Sequence, residues 1–424
     1  MAEMKDSEIR WIGQIPKNWK VIRVKDAFTR KKAKAKQENP VILSLARSGV
    51  KVRDITNNEG QLAENYSDYN PVMVDDLLLN PMDLISGDNC NISRVEGVIS
   101  PAYVNLRYKN GINPEFYNFY FKYQYWCKAF FAYGKGVSFE NRWTLNYDTL
   151  ERFPLILPPI EEQNRIVKFL KGKCAEIDAL HTDIEKQIET LEEYKKSIIT
   201  EAVTKGLDPD VEMEDSGIEW IGMIPKEWEC KKIKYVTNLS RGIFGHRPRN
   251  DPRYYDGKYP FIQTGDVACA TKVITNYSQT LNELGKKVSK EFKKGTIALT
   301  IAANVGDVSI LGFNAYFPDS IMAIIPHKEI DNMYFYYILS IMKSEFLRVA
   351  IINTQLNLNV ERVGNLYIPI TFDKNKQKEI VKYLDEKCAE IDGAIEEKKE
   401  QLDTLEQYKK SLIYEYVTGK KEVK

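Results

Sequence analysis

Two segments of the chain carry apolar residues at alternating spacings of three and four positions. The first series is Leu170, Cys174, Ile177, Ile184, Ile188, Leu191 and Ile198. The second series is Leu384, Cys388, Ile391, Ile395, Leu402, Leu405 and Leu412. A mean period near 3.5 residues is typical of coiled coils, so the pattern predicts two long helices. Helices of matched length most simply pair with each other, antiparallel and within one chain. Pairing between two chains would satisfy the same pattern.

Polar residues interrupt this apolar seam at four positions. Lys195 and Lys409 occupy equivalent core-type positions in the two segments, whereas His181 and Lys398 each lie where the other segment has an isoleucine. A polar residue at such a position commonly fixes register or partner choice at a cost in stability. Long side chains there can equally extend their charged ends into solvent. The sequence leaves both interpretations open.

Two pairs of segments repeat within the chain. Residues 7–19 read SEIRWIGQIPKNW and residues 216–228 read SGIEWIGMIPKEW, with nine of thirteen positions identical. Residues 165–206 and 379–420 agree at 22 of 42 positions without a gap. Repeats of this kind indicate a duplicated architecture. They predict a first domain over 1–158, a first helix over 159–206, a second domain over 207–370 and a second helix over 371–424.

The two segments outside the long helices have the pattern of mixed α/β domains. Short apolar runs predict strands, namely Val41–Ala46, Leu77–Asn80, Ile99–Leu106, Ile156–Leu157, Phe261–Thr264, Thr296–Ile301, Val308–Leu311 and Ile321–Ile325. Each segment also has one aromatic helix, near Glu115–Phe131 and near Met333–Val349, followed by a polar loop. The predicted fold class is α+β. Two similar mixed α/β domains are joined by two long helices that form an intramolecular antiparallel coiled coil, with pseudo-twofold symmetry.

Three motifs resemble one protein family. The WIG.IP..W openings, the run LPPIEEQNRIVKFL (Leu157–Leu170) and the helix end TLEEYKKSII are similar to the specificity subunits of Type I restriction–modification systems, over essentially the whole chain. The resemblance implies that each mixed domain is a target recognition domain reading one half of a split site in double-stranded DNA. It implies that the helices form a spacer on which two adenine-methyltransferase (M) subunits dock, joined by restriction/translocase (R) subunits. The methyltransferase would use S-adenosylmethionine, and this chain would bind no cofactor.

The second long helix departs from the family pattern where it begins. The first helix follows the sequence PPIEEQ, whereas Pro369–Gln377 read PITFDKNKQ. Gln163 keeps a counterpart in Gln377, but the surrounding residues differ. Because of this departure, the resemblance supports docking of a methyltransferase subunit less strongly at the second helix than at the first.

Residue types that contact phosphates and base edges cluster in both domains. In the first domain the candidates are Arg30, Lys31, Lys32, Lys34, Arg47, Lys51, Arg53, Lys135, Ser138, Asn141 and Arg142. In the second they are Arg241, His246, Arg247, Arg249, Arg253, Tyr254, Gln263, Thr264, Thr354, Gln355 and Asn357. Each residue taken singly also suits an ordinary solvated surface. The loop from Arg241 to Tyr254 is favoured as a cluster, because five basic-type side chains share exposed backbone.

Length and composition bound the class of protein. A chain of 424 residues, 43% apolar, exceeds the limit of about 250–300 residues for one core, which predicts several domains. The net charge of +1 says little about partners, because a polyanion is bound by local patches. No run of about 18 apolar residues and no apolar leader is present, so we expect a cytoplasmic location without membrane insertion. Six scattered cysteines without a CxxC pair, and three histidines away from them, predict no metal site.

The sequence contains no motif that supports catalysis. Asn80-Pro81-Met82-Asp83 only partly matches the Asn-Pro-Pro-aromatic tetrapeptide of adenine methyltransferases, whose ring stacks on a flipped base. No Gly-rich methyl-donor turn and no GxxxxGK[ST] phosphate loop is present. We therefore expect a non-catalytic subunit whose partners methylate and cleave.

Three other functions fit parts of the pattern. A coiled-coil scaffold that organises proteins without reading DNA would suit the near-neutral charge. A single-chain enzyme would need its own methyltransferase site, which the motifs do not supply. A specificity subunit of a related, non-Type I restriction system would have the same sequence features but one partner that both methylates and cuts.

Overall fold

The structure, a computed structural model, describes residues 3–36, 40–46, 49–54, 66–84, 90–136, 143–302, 304–352 and 356–423. Packing divides the chain into two compact units. The first is Met1–Glu185 with Lys399–Lys424, and the second is Lys186–Lys398. Each unit therefore combines one mixed α/β segment with parts of both long helices. The division of the sequence into four segments at the bounds given above stays a prediction.

The first unit contains short strands and helices that precede the first long helix. The strands are β1 (Met4–Asp6), β2 (Gln14–Pro16), β3 (Lys20–Arg23), β4 (Phe28–Arg30), β5 (Leu43–Ala46), β6 (Gly49–Val52), β7 (Asn70–Val72), β8 (Leu77–Leu79), β9 (Cys90–Ile92), β10 (Gly97–Ile99), β11 (Val104–Tyr108) and β12 (Pro154–Leu157). The helices are α1 (Val24–Ala27), α2 (Pro114–Trp126), α3 (Ala129–Ala132), α4 (Tyr147–Arg152) and the long α5 (Ile160–Lys205). An antiparallel sheet has the order β4-β11-β8-β9, and β3 pairs with β12. Pairs β1–β2, β5–β6 and β7–β10 complete the described strands.

The second unit has two larger sheets. The strands are β13 (Met213–Asp215), β14 (Met223–Pro225), β15 (Glu229–Lys232), β16 (Thr237–Arg241), β17 (Tyr255–Phe261), β18 (Val273–Ile274), β19 (Gln279–Leu281), β20 (Glu291–Phe292), β21 (Ile297–Thr300), β22 (Val308–Leu311), β23 (Ala315–Tyr316), β24 (Ile321–Pro326), β25 (Ile351–Ile352), β26 (Leu356–Asn357) and β27 (Tyr367–Ile370). The helices are α6 (Thr264–Cys269), α7 (Glu283–Lys287), α8 (Asn332–Ser340), α9 (Lys343–Val349), α10 (Val360–Gly364) and the long α11 (Lys374–Val417). One sheet has the order β16-β24-β21-β22-β18 and the other β19-β17-β23-β20.

An aromatic helix fills the core of each unit. In the first unit α2 buries Phe116, Tyr117, Tyr120, Phe121 and Tyr125 completely. Its start is fixed because the side chain of Asn113 accepts a hydrogen bond from the backbone N–H of Glu115. In the second unit α8 has the same place and buries Tyr334, Phe335, Ile338 and Leu339. Burial of such large side chains is a major source of stability for both domains.

The repeated WIG.IP..W opening has the same structure in both units. The strands β1–β2 and β13–β14 are hairpins, and β3–β12 and β15–β27 are equivalent ladders. Trp19 and Trp228 are buried in the cores of their units. A long helix ends against each opening at a glycine with positive φ, Gly419 (φ 71°) in the first unit and Gly206 (φ 76°) in the second. A Cβ at Gly419 would overlap the ring of Pro16, so this close approach requires glycine.

The long helices pair antiparallel within each unit. In the first unit the ring centroids of Phe169 and Tyr416 lie 4.4 Å apart, and Lys409 Nζ lies 2.5 Å from Asp178 Oδ1. Later residues of α11 thus contact earlier residues of α5. In the second unit, likewise, Lys195 Nζ lies 2.6 Å from Asp392 Oδ1 and Lys398 Nζ lies 2.5 Å from Gln187 Oε1. The predicted intramolecular antiparallel coiled coil is confirmed.

The seam lysines make the same contact in both units. Lys195 and Lys409 are repeat-equivalent, and so are their partners Asp392 and Asp178 on the opposite helix. The lysine side chains are only 27% and 29% exposed. They cross the seam to a defined carboxylate instead of extending freely into solvent. This geometry favours the interpretation that they fix the register of the helix pair.

Two predicted strand bounds were wrong. Ile99–Leu106 is two strands, because a turn containing Pro101 separates β10 from β11 and is closed by a 3.0 Å hydrogen bond from Tyr103 N–H to the Ser100 carbonyl. The predicted strand Phe261–Thr264 ends at Phe261, since Gln263 caps α6 by donating its N–H to the carboxylate of Asp266 at 2.7 Å. An apolar run alone does not show where a turn or a capping contact ends a strand.

The predicted aromatic helices are each interrupted. Lys128 has a left-handed conformation (φ 60°) and separates α2 from α3. Ile341 and Met342 separate α8 from α9 in the second unit. The aromatic spacing continues across both breaks, which is why the sequence indicates one helix in each case.

A buried glutamine joins α5 to the first mixed domain. Gln163 is 0% exposed. Its Nε2 donates to the carbonyls of Pro158 (2.8 Å) and Gly111 (3.2 Å), and its Oε1 accepts from the backbone N–H of Asn113 at 2.9 Å. Since Asn113 caps α2, one side chain fixes the start of the aromatic helix against the long helix.

Gln377 makes the same three contacts in the second unit. Its Nε2 donates to the carbonyls of Thr371 (2.7 Å) and Glu329 (3.2 Å), and its Oε1 accepts from the N–H of Asp331, the cap of α8, at 2.6 Å. The altered sequence before α11 therefore preserves the contacts by which the long helix and the domain are joined.

A second contact between helix and domain has opposite charges in the two units. Lys171 on α5 lies 2.7 Å from the carboxylate of Glu115 at the start of α2. The repeat-equivalent residue on α11 is Asp385, whose carboxylate accepts from Lys272 at 2.5 Å and from the hydroxyl of Tyr337 at 2.6 Å. The same helix position thus carries a cation in one unit and an anion in the other, each matched to its own domain.

Loss of the buried amide should destabilise each unit. Gln163→Ala leaves the Asn113 N–H and the carbonyls of Pro158 and Gly111 without their partner, and each such group that is buried costs about 1–3 kcal/mol when unsatisfied. We expect the free energy of unfolding of the first unit to fall by about 2–4 kcal/mol, and Gln377→Ala to act equally on the second. Urea denaturation measures this. The exposed Gln401 on α11 provides the control, since its replacement should change stability by less than about 0.5 kcal/mol. Equal losses at Gln163 and Gln401 would contradict the account.

Charge reversal should reveal the matched contact. Asp385→Lys places two cations together beside Tyr337, and we expect a loss of about 1 kcal/mol in the stability of the second unit, because the pair is partly exposed to solvent. The double variant Lys272→Asp/Asp385→Lys restores opposite charges and should recover most of that loss. A double-mutant cycle from urea denaturation measures the coupling. Strictly additive effects of the two substitutions would show that the pair contributes nothing.

Candidate nucleic-acid interface

The basic strip of the first unit begins on β4 and continues along the chain after it. Arg30 ends β4, and its guanidinium carbon lies 4.4 Å from the centroid of the Tyr147 ring. Lys32 and Lys34 are exposed and Lys31 is partly exposed, with Lys34 Nζ 2.8 Å from Asp68. The strip therefore presents a row of cations beside an aromatic ring, which suits phosphate contacts.

The other candidates of the first unit lie on two hairpin-like segments. Lys51 is exposed on β6, and the N–H of Arg53 donates to the Ile42 carbonyl at 2.8 Å. The exposed Lys135 pairs with Thr144 through two backbone hydrogen bonds of 2.8 and 2.9 Å. The remaining candidates lie outside the described residues, namely Arg47, Ser138, Asn141 and Arg142.

Three arginines of the second unit converge on one residue, Asp319. Arg241 Nε donates to its backbone carbonyl. Arg247 Nη2 lies 3.4 Å from its carboxylate, and Arg249 Nη2 contacts the other carboxylate oxygen. Arg247 also donates through Nη1 to the carbonyls of Phe244 and His246 at 2.6 and 2.8 Å. The candidate loop is therefore exposed, as expected, but it is held in one shape by ion pairs and hydrogen bonds.

Asp251 holds the end of this loop through contacts of its carboxylate. Its carboxylate lies 2.6 Å from Arg253 Nη2 and 3.1 Å from His246 Nε2. The hydrogen bond from the Arg253 side chain holds the pKa of Asp251 well below its usual range, so this carboxylate stays charged at neutral pH. The rings of His246 and Tyr254 stack with centroids 4.1 Å apart. Arg253 itself extends outward, with 73% of its side chain exposed.

Gln263 lines a small cavity beside the arginine loop. Its Nε2 donates to Gln279 Oε1 at 2.9 Å. The cavity has a volume of about 260 Å³ and is lined by Phe244, Arg249, Asn250, Tyr255, Phe261, Gln263, Gln279, Pro318 and Ser320. Thr264 begins α6 and does not line it. The sequence did not indicate Asp319 or Gln279, because no local pattern connects either residue with the loop.

The polar loop after the second aromatic helix is described only at one end. Asn357 lies on β26 and pairs with Ile351 and with Ala302. Thr354 and Gln355 lie outside the described residues. The structure thus brings Arg241, Arg247, Arg249 and Gln263 into one region of the second unit. The role of every candidate in binding DNA stays a prediction.

The tetrapeptide Asn80–Asp83, which partly matches the motif of adenine methyltransferases, has a structural role. Asn80 Oδ1 accepts from the N–H of Met82 at 2.9 Å, and the Asn80 carbonyl accepts from the hydroxyl of Tyr125 at 2.8 Å, so this tetrapeptide forms a turn on the core. Within the described part of the chain, no group of His, Cys, Asp and Glu side chains is arranged to hold a metal ion. None of the described helices is long and apolar enough to cross a membrane.

Comparison with known proteins places the chain in a family. The family model described as "Type I restriction modification DNA specificity domain" matches residues 16–190 and 225–407. The type I restriction enzyme MjaVIII specificity subunit of Methanocaldococcus jannaschii is 24% identical, with 97% of this chain and 95% of that protein covered. The type I restriction enzyme EcoBI specificity subunit of Escherichia coli is also 24% identical, with 81% and 73% covered.

A solved structure shares the fold. It comes from work on complex assembly and conformational transition of the type I R-M system, and it matches with a TM-score of 0.70 at 14% identity. The match covers 95% of this chain and 98% of the other. With both halves of the chain matched by the same family model, this protein belongs to the Type I restriction–modification specificity subunits.

Proposed function

We propose that this chain reads a bipartite DNA site, one half with each unit, and docks the methyltransferase and restriction subunits that act on the DNA. The observation that carries the proposal is the contrast between a repeated frame and unlike surfaces. The frame consists of the hairpin with its tryptophan, the buried glutamine and the seam lysine, and it is the same in both units. A duplicated protein that reads two different half-sites needs this combination.

The unlike surfaces lie where the candidate residues cluster. In the first unit the cations follow β4, beside the four-stranded sheet. In the second unit Arg241 ends β16 and the other arginines lie between β16 and β17, and β17 belongs to the sheet β19-β17-β23-β20. Base readout depends on which donors and acceptors face the groove, so different surfaces select different sequences. The basic side chains supply the phosphate contacts that position the domain on the duplex.

Equivalent exposed tyrosines support docking of two methyltransferase subunits. Tyr194 on α5 and Tyr408 on α11 are repeat-equivalent, with exposed fractions of 56% and 53%. Tyrosine is enriched at protein interfaces because its ring buries a large area while its hydroxyl keeps a polar partner. Two copies of one surface suit two copies of one partner. In this proposal the methyltransferase subunits carry S-adenosylmethionine, and this chain binds no cofactor.

Salt dependence distinguishes DNA reading from protein scaffolding. We expect this chain, reconstituted with its methyltransferase, to bind duplex DNA with an affinity that falls steeply with salt. The expected slope of log K against log[salt] is about −0.9 for each phosphate contact. Fluorescence anisotropy at several salt concentrations gives the slope, with the methyltransferase alone as the control. A stable complex that binds DNA no better than the methyltransferase alone would favour the scaffold function.

A further inference from the structure

The convergence of Arg241, Arg247 and Arg249 on Asp319 leaves positive charge in excess. One carboxylate faces two guanidinium groups, and a third arginine is bound to the backbone carbonyl of the same residue. The side chains of Arg247 and Arg249 are 54% and 47% exposed, and that of Asp319 is 27% exposed. The cluster is therefore within reach of a ligand in solution.

The geometry of the cluster suits a phosphate group. The planar fork of donors on a guanidinium matches carboxylate and phosphate oxygens alike, and phosphate offers more acceptor oxygens than a carboxylate. An arginine pair that already holds one oxyanion is therefore arranged to hold another. The Asp319 carboxylate has the same relation to Arg247 and Arg249 that a phosphate would have.

Space for such a group lies next to the cluster. The cavity of about 260 Å³ is lined by Arg249 and by Pro318 and Ser320, the two neighbours of Asp319 in the sequence. Asn250 also lines the cavity, and its side-chain amide adds a hydrogen-bond donor. A phosphate can thus approach Arg249 without displacing buried side chains.

Arg247 would keep the loop in place during an exchange of anions. Its Nη1 donates to the carbonyls of Phe244 and His246, and these bonds do not involve Asp319. Phe244 is 3% exposed and packs with its ring centroid 5.4 Å from that of Phe261. The loop therefore has an anchor that is independent of the carboxylate.

We propose that Arg247 and Arg249 form a binding site for a backbone phosphate of DNA, and that the Asp319 carboxylate occupies this site in the free protein. The proposal rests on the proposed function, because it takes the second unit to be a DNA reader. Asp319 lowers the affinity for duplexes of any sequence, since a phosphate must first replace it. The carboxylate thereby favours binding at sites where base contacts add to the phosphate contact.

Asp319→Asn removes the competing charge and nearly keeps the shape of the side chain. With the full chain reconstituted with its methyltransferase and a duplex of random sequence as probe, we expect binding to become tighter. The gain should be up to about fivefold, which corresponds to the cost of at most about 1 kcal/mol for breaking an exposed ion pair. The slope should stay the same, because the wild-type complex makes the same phosphate contact once Asp319 is displaced. Glu229→Gln is the matched control, because it changes the charge equally and breaks an ion pair with Lys231 on β15. It should change the affinity less than about twofold.

Arg249→Ala gives an independent readout should the first variant fold poorly. We expect it to weaken binding and to make the slope shallower by about 0.9, and to abolish the gain when combined with Asp319→Asn. Binding by Asp319→Asn that equals or falls below wild type, while wild type binds DNA, would overturn the inference and leave the proposed function standing. If neither the wild-type complex nor the variants bind DNA above the methyltransferase alone, the proposed function fails and the inference with it.

Discussion

The fold of both units depends on the antiparallel pairing of two helix segments that are distant in the sequence. The core of the first unit includes Ile413 and Val417 from the end of α11, and that of the second includes Ile198 and Val203 from the end of α5. Burial of apolar surface stabilises the folded state by about 25 cal/mol per Å². These helix residues therefore contribute to the stability of each unit. The long helices are consequently components of both units as well as connections between them.

This arrangement separates what must stay constant from what can vary. The contacts of Gln163 and Gln377 join helix to domain through backbone groups, and they tolerate different neighbouring side chains. The basic side chains beyond them differ between the two units. The opposite charges at Lys171 and Asp385 show how each domain is nevertheless matched to its own helix position. A duplicated frame that carries two unlike surfaces follows from these constraints.

The sequence predicted the frame well because periodicity and repetition are visible along the chain. Heptad spacing and an offset repeat indicate the paired helices, and the tryptophan motif indicates the shared opening. The contacts of the candidate site could not be predicted in the same way, because they join residues that are far apart in the sequence. Arg249 and Asp319 are separated by 70 positions, and no local pattern connects them. The missed break in Ile99–Leu106 has a different cause, since a local turn from Ser100 to Tyr103 separates two strands that were predicted as one.

The most direct test of the central claim is methylome sequencing of cells that express the cognate methyltransferase subunit with and without this chain. The account predicts a methylated-adenine motif in two parts, separated by a fixed gap of unspecified bases, only when this chain is present. Identical methylation with and without the chain, or the absence of any split motif despite a stable complex, would contradict it.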